Sequence, residues 1–131
     1  MRYILDTCVF FWLVDDQSKL SELARGLIAD PGSSLHVSVI VLTELHRLIR
    51  KGRITINAPD GLDQWFRKGL TAHQVQCEPI TLEIAHAAEV LPWIHNDPAD
   101  RFILATAQVL GARILSPDNT IPKYPGFTVE R

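Results

Sequence analysis

The sequence predicts an α/β fold in which a mostly parallel sheet of four to five strands is covered by helices. Short apolar runs of β-compatible residues alternate along the chain with segments whose apolar residues recur at helical spacing. Such alternation is typical of β-α units built around a parallel sheet. The 131 residues match one domain of ordinary size, and no internal repeat or linker marks a second one. We therefore expect a single domain over residues 1–131.

The first half of the chain predicts two strands and three helices. Apolar β-compatible runs define the strands, and the helices carry apolar residues one turn apart and end near Pro31-Gly32 and Gly52. In chain order these elements are strand Arg2–Leu5, helix Cys8–Val14, helix Ser18–Asp30, strand Ser34–Ser38 and helix Val39–Lys51.

The second half predicts further helices separated by short strands. Pro59 can open a helix that carries Trp65 and Phe66, and strand Val75–Ile80 follows. Thr81 caps a helix that Pro92 ends. The next helix has Pro98 at its first position, where the missing N–H costs nothing, and Gly111 just past its end. A short strand then leads into an acidic loop at Asp118, and Phe127–Val129 offers a last edge strand.

The bulk composition is that of a soluble globular protein. A hydrophobic fraction of 47% with 21% charged residues argues against disorder and against a membrane span. The net charge of -2 gives no sign of nucleic-acid binding, so a polyanionic partner would need a local basic patch or bound cations. Cys8 and Cys77 lie far apart inside apolar runs, which predicts buried thiols rather than a disulfide. Asp6 interrupts the apolar start and no cleavage site follows, so we expect a cytoplasmic protein without a signal peptide.

Two acids follow predicted strands directly. Asp6 comes after the first strand, and Asp118 follows the short strand in the second half of the chain. Ligands of open parallel sheets bind outside the carboxyl ends of the strands, so these two carboxylates are candidates for one shared site. The alternative is that each is a turn residue or a helix cap.

A third acid lies at the edge of an apolar helix face. Glu44 has Ile40 and Leu48 one turn to either side, so its carboxylate needs a partner. A salt bridge to Arg47 or Lys51 would supply one. We favour a metal-facing role because other acids are available.

Two more acids flank Pro98. Pro98 disfavours helical geometry at Asp97, which makes Asp97 a natural N-cap, and Asp100 then suits the dipole of the first turn. Because Asp100 starts what looks like a buried helix, we assign Asp97 to the cap and Asp100 to the site. His95 precedes this turn and could donate to the site or contact phosphate, or it could be a loop histidine with no role.

Several carboxylates a few ångströms apart repel one another, so they either take up protons or bind a cation. Magnesium binds phosphate oxygens in its remaining positions, so such a cluster suggests phosphodiester hydrolysis by metal-activated water. No Cys or His pair has zinc spacing, no phosphate-binding glycine loop exists, and no serine stands in a nucleophile elbow.

These residues resemble those of PIN-domain ribonucleases, and specifically the VapC toxins of bacterial toxin–antitoxin pairs. The resemblance rests on LDT near the start, TEL in the third helix, HNDPADRFILATA and SPDNTI, and it covers nearly the whole chain. It implies a three-layer α/β/α sandwich and a metal site, and by position the metal-binding and catalytic acids fall on Asp6, Glu44, Asp100 and Asp118. Asp97 is an extra acid of the HxDPxDR subgroup, and Thr7 and Ser116 fall where a supporting hydroxyl is common.

The resemblance also implies Mg²⁺- or Mn²⁺-dependent endoribonuclease activity, homodimerisation and inhibition by a VapB-like antitoxin whose tail occupies the acidic groove. Two departures are modest: Ser116-Pro117 stands where Thr and a small residue are more usual, and Ala99 where an aromatic is common. For RNA contact we select the densest basic run, with a solvated helix face as the alternative; its members are Arg47, Arg50, Lys51 and Arg53.

Three other interpretations stay open at this point. The chain could be a PIN nuclease that is not a toxin. It could be a phosphatase or phospho-receiver with Asp6 as nucleophile, although Thr7-Cys8 lacks the second acid of the former and Lys123 is a poor candidate for the lysine of the latter. It could also be a non-catalytic α/β binding module whose acids are only helix caps.

Overall fold

A computed structural model describes residues 1–94, 96–118 and 121–131. Within these ranges, five strands form one sheet in the order β3-β2-β1-β4-β5, and every neighbouring pair is parallel. This confirms the predicted α/β fold. The strands are β1 (Arg2–Leu5), β2 (Ser34–Ser38), β3 (Val75–Glu78), β4 (Arg113–Leu115) and β5 (Val129–Glu130). The helices are α1 (Thr7–Asp15), α2 (Glu22–Ala29), α3 (Ile40–Arg50), α4 (Leu62–His73), α5 (Leu82–Val90) and α6 (Pro98–Leu110), with short 3-10 turns at Gln17–Lys19 and Ile121–Lys123.

The strand order places a change of direction in the middle of the sheet. The chain moves outward from β1 through β2 to β3 and then returns to β4 on the other side of β1. Because crossovers between parallel strands are right-handed, α1 to α4 and α5 to α6 cover opposite faces, which makes the three layers. The point where the order reverses lies between β1 and β4, and it is there that α/β sheets open a crevice for ligands.

The core lies on both sides of the central strands. Ile4, Leu5, Ile114 and Leu115 are fully buried, as their apolar strand patterns predict. On one face the ring of Phe10 in α1 packs 4.8 Å from that of Phe66 in α4. On the other face α6 lies against β1 and β2, and α5 packs on α6. The first strand is thus held from both sides, which fixes the position of the residue that follows it.

The starts of two helices differ from the sequence prediction. The predicted helix Ser18–Asp30 is divided into a 3-10 turn, Gln17–Lys19, and α2, because Ser21 caps α2 by accepting the N–H of Ala24 at 3.0 Å. Pro59 does not open α4, which begins at Leu62 after Gly61 with φ 96°. A turn in which the N–H of Gly61 donates to the carbonyl of Ala58 takes the place of that first helical turn.

The prediction of buried thiols is wrong, whereas the absence of a disulfide is confirmed: Cys8 and Cys77 are both free and exposed. Cys77 lies on β3, which is the sheet edge, so one flank of that strand faces no further strand. Cys8 is the second residue of α1 and points away from the core that Val9 and Phe10 enter.

Two strands end at other residues than the sequence predicts, since β3 ends at Glu78 and β5 is Val129–Glu130. Among the described helices none has the length and apolarity needed to span a bilayer.

Candidate functional site

Asp6 stands at the carboxyl end of β1, next to the point where the strand order reverses. Its backbone N–H donates to the carbonyl of Leu115 on β4 at 3.1 Å, so the two strand ends are joined. Its Oδ1 accepts the N–H of Val9 at 2.8 Å and thereby caps α1. Its Oδ2 accepts a short hydrogen bond from the hydroxyl of Ser116. Asp6 is therefore a cap, and it also presents one oxygen toward the end of β4.

Ser116 links two of the predicted acids. It directly follows β4 and is almost completely buried. Besides donating to Asp6, its Oγ accepts the backbone N–H of Asp118 at 3.0 Å. The hydroxyl therefore orients the carboxylate of Asp6 and holds the backbone that carries Asp118, which is the kind of support that the sequence predicts for Ser116.

Burial and neighbouring charges make Asp6 hard to ionise. Its pKa is raised from 3.8 to about 7, chiefly because the buried carboxylate is desolvated. Hydrogen bonds from Ser116 and Val9 lower the pKa, and the negative charges of Asp100 and Asp118 raise it. Asp6, Asp100 and Asp118 are thus close enough to repel one another, as the sequence predicts.

Besides burial, the negative charges of all four predicted acids raise the pKa of the Cys8 thiol. Its pKa is raised to about 11, first by desolvation and then by the negative charges of four carboxylates. These are Asp6, Asp100, Asp118 and Glu44. Acids that follow β1 and β4, and acids on α3 and α6, are therefore near enough to the start of α1 for their charges to act on this thiol. Sequence reasoning assigned no role to Cys8. The raised pKa of its thiol reflects burial and the combined negative charge of the four acids.

Glu44 is held by the partner that the sequence offers as its alternative. Arg47 donates through Nε and Nη2 to the two carboxylate oxygens of Glu44, at 3.0 and 2.8 Å. Nη2 of Arg47 also lies 3.4 Å from Oδ2 of Asp97 on α6. The guanidinium therefore joins α3 to the N-cap of α6 at the rim of the site. Arg47 is accordingly engaged with acids of the site and differs from the rest of the basic run.

The first turn of α6 has the predicted geometry. Asp97 is the N-cap, with Oδ1 accepting the N–H of Ala99 at 3.0 Å, and Pro98 occupies the first helical position. Asp100 is half-buried in the first turn, between the buried residues Ala99 and Arg101. His95 lies outside the described residues.

The donors of this site suit a hard cation, although they do not yet enclose one. The acids and the hydroxyl of Thr7 offer oxygen ligands, which Mg²⁺ and Mn²⁺ prefer. Thr7 is buried, and its Oγ1 has no hydrogen-bond partner in the part of the chain that the structure describes. Over the same residues, no three acidic, His or Cys side chains converge in a metal-binding group. In this structure the oxygens of Glu44 and Asp6 accept hydrogen bonds from Arg47, Val9 and Ser116.

The other members of the predicted basic run lie beyond Arg47 on the surface. Arg50, Lys51 and Arg53 are exposed at the end of α3 and in the turn that follows it. They form a solvated surface beyond Arg47, and their contact with RNA stays a prediction.

Arg101 is a buried residue to which sequence reasoning assigned no role. Its side chain is 3% exposed, and Nη2 donates to the carbonyls of Ala88 at 2.6 Å and Leu91 at 2.9 Å. Nη1 donates to the carbonyl of Pro92 at 3.0 Å, and the guanidinium lies 3.6 Å from the ring centre of Trp93. Arg101 therefore satisfies the end of α5 and fixes the loop before α6. The signal was an arginine among the apolar residues of a buried helix.

Comparison with known proteins identifies the family of this chain. A family model described as the PIN domain matches residues 3–126. The chain belongs to the PIN-domain family.

Within this family, the PIN-domain chain is 32% identical over 122 residues to ribonuclease VapC22 of Mycobacterium tuberculosis, covering 92% of this chain and 90% of that protein. Its fold is similar to VapBC2 of Rickettsia felis, solved bound to a DNA fragment from their promoter, with a TM-score of 0.73, 14% identity, and 99% and 98% of the two chains covered. It is also similar to a toxin–antitoxin complex of Klebsiella pneumoniae, with a TM-score of 0.62, 19% identity, and 98% and 96% covered.

Proposed function

We propose that this PIN-domain chain is an endoribonuclease of the VapC type, the toxin of a toxin–antitoxin pair. The observation that supports the proposal is the pair of hydrogen bonds by which Ser116 holds Asp6 and the backbone of Asp118, together with the proximity of Asp6, Glu44, Asp100 and Asp118 to Cys8, whose pKa burial and these four acids raise. The 32% identity to a protein named as a ribonuclease, over nearly its whole length, supports the same reaction class. Membership of the PIN family supports a site built from acids rather than from a nucleophilic serine or cysteine.

The proposed site holds Mg²⁺ or Mn²⁺ through Asp6, Glu44, Asp100 and Asp118. A divalent cation there supplies a Lewis acid for the phosphate and lowers the pKa of a coordinated water. The chain's own residues prepare the site. Ser116 keeps Asp6 and Asp118 oriented, and Asp97 starts the helix that presents Asp100. Arg47 contacts both Glu44 and Asp97, so it can keep the carboxylate of Glu44 oriented while a remaining lone pair of that carboxylate binds the cation.

The proposed partners are an RNA substrate, a VapB-like antitoxin and a second copy of the chain. The solved folds that resemble this one come from VapBC or other toxin–antitoxin complexes. For the RNA we retain Arg50, Lys51 and Arg53 as phosphate contacts, because they are exposed cations on the segment that continues from α3. Arg47 is placed instead as the residue that holds Glu44 and Asp97 in the absence of a cation.

The decisive experiment is cleavage of a panel of structured RNAs by the purified chain, with Mg²⁺, with Mn²⁺ and with chelator. The matched variant is Asp100→Asn, which keeps the size of the side chain and removes its charge. We expect cleavage only with a divalent cation, and a loss of at least about a hundredfold in kcat for the variant, since one carboxylate of a metal site is removed. Cleavage at the wild-type rate in chelator, or by the variant, would contradict a metal-dependent mechanism.

A second candidate function is a non-catalytic binding module, and a specific observation favours it. Asp6 and Asp97 are helix caps, and Glu44 is neutralised by Arg47, so each of these acids also has a purely structural role. Thermal unfolding with and without Mg²⁺ separates the two functions. A site that binds the cation in the folded state raises the melting temperature with cation concentration, whereas a cluster of caps leaves it unchanged.

The toxin role is tested apart from the ribonuclease activity. We expect a small antitoxin encoded next to this chain, and its purified protein should inhibit RNA cleavage. Cleavage that no neighbouring gene product inhibits would indicate a PIN nuclease that is not a toxin.

A further inference from the structure

A cavity of about 270 Å³ adjoins the acidic site on the side of β4 and β5. Its walls come from α1, the start of α2 and the ends of these two strands. Ser116 lines it, and the same side chain donates to Asp6 and accepts from Asp118. The volume lies close to the lower end of the range for small-molecule pockets, roughly 300 Å³. The cavity therefore shares Ser116 with the acidic site, and its size suits one small ring system.

The wall of the cavity combines a rigid apolar base with one large aromatic face. Val9 and Leu115 are buried and Pro117 covers one side. Trp12 is half-buried and lines the cavity from α1. It follows Asp6 by six positions, so it lies about 9 Å further along the helix axis, at a rise of roughly 1.5 Å per residue. Trp12 packs against the edge of the core. Among the described residues, the ring–ring contacts join Phe10, Phe11, Trp65, Phe66, Tyr124 and Phe127 and do not include Trp12.

The rim of the cavity carries charges of both signs. Lys19, Arg131 and Glu130 line it, and the negative charge of Asp16 acts on Lys19. The carboxylate of Glu130 lies 3.3 Å from Nη1 of Arg113, which offsets its negative charge. The rim therefore combines cations with an indole face, which is how proteins hold single-stranded nucleic acid: the base stacks on the ring and the phosphate contacts the cation.

We propose that this cavity binds one base of the RNA, next to the phosphate that is cleaved, with the base stacked on Trp12 and the adjoining phosphate near Lys19. The inference rests on the proposed ribonuclease function and names a subsite for its substrate. Trp12 and Lys19 then act as positioning residues that decide where along an RNA strand the acids cut. Stacking is tolerant of the base, so the shape of the walls at Val9, Leu115 and Pro117 sets any preference.

The test measures binding without cleavage. The Asp100→Asn variant is labelled with ¹⁵N and titrated with the four nucleoside 5′-monophosphates, with ribose 5-phosphate and with inorganic phosphate, while the indole N–H signals are followed by NMR. The chain has three tryptophans, and the spectrum of a Trp12→Phe variant identifies the signal of Trp12. We expect a nucleoside monophosphate to shift the Trp12 signal while Trp65 and Trp93 stay in place. Ribose 5-phosphate, which lacks the base, should bind at least about fivefold more weakly.

Variants then identify the contacts. Trp12→Phe retains an aromatic face and should keep most of the affinity, whereas Trp12→Ala should weaken nucleotide binding at least about fivefold. Lys19→Ala should also weaken binding, and Lys68→Ala, whose ammonium instead lies 3.4 Å from Asp60, should not. Equal melting temperatures of the variants show that each one folds. In RNA cleavage, Trp12→Ala should raise KM and flatten the base preference on one side of the cut, with kcat little changed.

The proposal is overturned if no nucleotide shifts the Trp12 signal, if ribose 5-phosphate is equally effective, or if Trp12→Ala binds nucleotides as tightly as the parent chain. It is also overturned if N-acetyl-leucine amide shifts the signal and nucleotides do not, since the cavity then takes a peptide side chain. Nucleotide binding by a chain that cleaves no RNA would refute the ribonuclease function while confirming the subsite. If the chain cleaves RNA but no nucleotide shifts the Trp12 signal, the ribonuclease function is confirmed and the subsite is refuted.

Discussion

The protonation of Asp6 should govern the stability of the chain when no divalent cation is present. Its pKa in the folded chain is raised to about 7, first by burial and further by Asp100 and Asp118. The folded state therefore holds a proton that the unfolded chain releases at a lower pH. This contribution to stability is fully present below about pH 4, and it is lost as the pH rises toward and through about 7.

The size of the effect follows from the two pKa values. A rise from 3.8 to about 7 corresponds to about 4 kcal/mol in the free energy of unfolding, at roughly 1.4 kcal/mol for each tenfold change in proton affinity. Asp6 is 5% exposed, so bulk solvent screens little of this energy. The Asp6→Asn variant cannot ionise and keeps an oxygen that can accept from Val9. We therefore expect it to be more stable than the parent chain at pH 8 and to lose most of the dependence between pH 4 and 7.

Urea unfolding in chelator, followed by circular dichroism between pH 4 and 8, measures this dependence. The control is Asp60→Asn, which removes an acid whose side chain is 70% exposed and should leave the parent slope in place. Added Mg²⁺ should restore stability more at pH 8 than at pH 5, because a cation replaces the proton among the carboxylates. A parent chain whose stability is flat over this range, or an Asp6→Asn variant with the same slope, would refute the account of the site as a cluster of repelling acids.

Four further predictions concern single residues. Asp97→Ser keeps an N-cap oxygen and should retain more RNA cleavage than Asp100→Ser; equal loss in the two variants would contradict the division between cap and ligand. Mg²⁺ should lower the pKa of the Cys8 thiol and speed its alkylation by iodoacetamide at pH 8.5, while Cys77 in the same chain serves as the unaffected reference. Arg101→Met should lower the free energy of unfolding by about 3 kcal/mol in urea, since two buried carbonyls and one partly buried carbonyl lose their donor, and a loss below about 1 kcal/mol would show that water replaces it. Gly69→Ala should lower the melting temperature, because a Cβ there would lie 2.8 Å from Cγ2 of Val14, and an unchanged melting temperature would mean that α1 and α4 separate freely.

The fold could be predicted largely because its signals are local. Hydrophobic period and breaking residues mark β1, β2 and α3 nearly to the residue, and Pro98 and Gly111 mark both ends of α6. The errors occur where a tertiary contact or a short turn competes with propensity. Gly61, with its positive φ, delays the start of α4 beyond Pro59.

The candidate site could be predicted only in part, because chain order reveals which acids follow strands and not what their oxygens contact. The gathering of Asp6 with Asp118 follows from parallel strands whose ends meet at one edge. The hydrogen bond from Ser116 to Asp6 joins residues that lie far apart in the sequence, and no local sequence pattern predicts it. The same is true of Arg101, whose carbonyl partners belong to another helix and its loop.

The structural and functional roles of these acids do not exclude each other. A carboxylate has two oxygens, and in this chain they are divided between two tasks. Oδ1 of Asp6 caps α1 while Oδ2 meets Ser116, and Oδ1 of Asp97 caps α6 while Oδ2 faces Arg47. Capping removes the rotational freedom of a carboxylate, so its second oxygen is already oriented before a ligand arrives. Cap geometry at Asp6 is thus no argument against cation binding there. Helix capping alone and cation binding are distinguished by measuring how the stability of the chain depends on Mg²⁺ and on pH, because both depend on what the second oxygen binds.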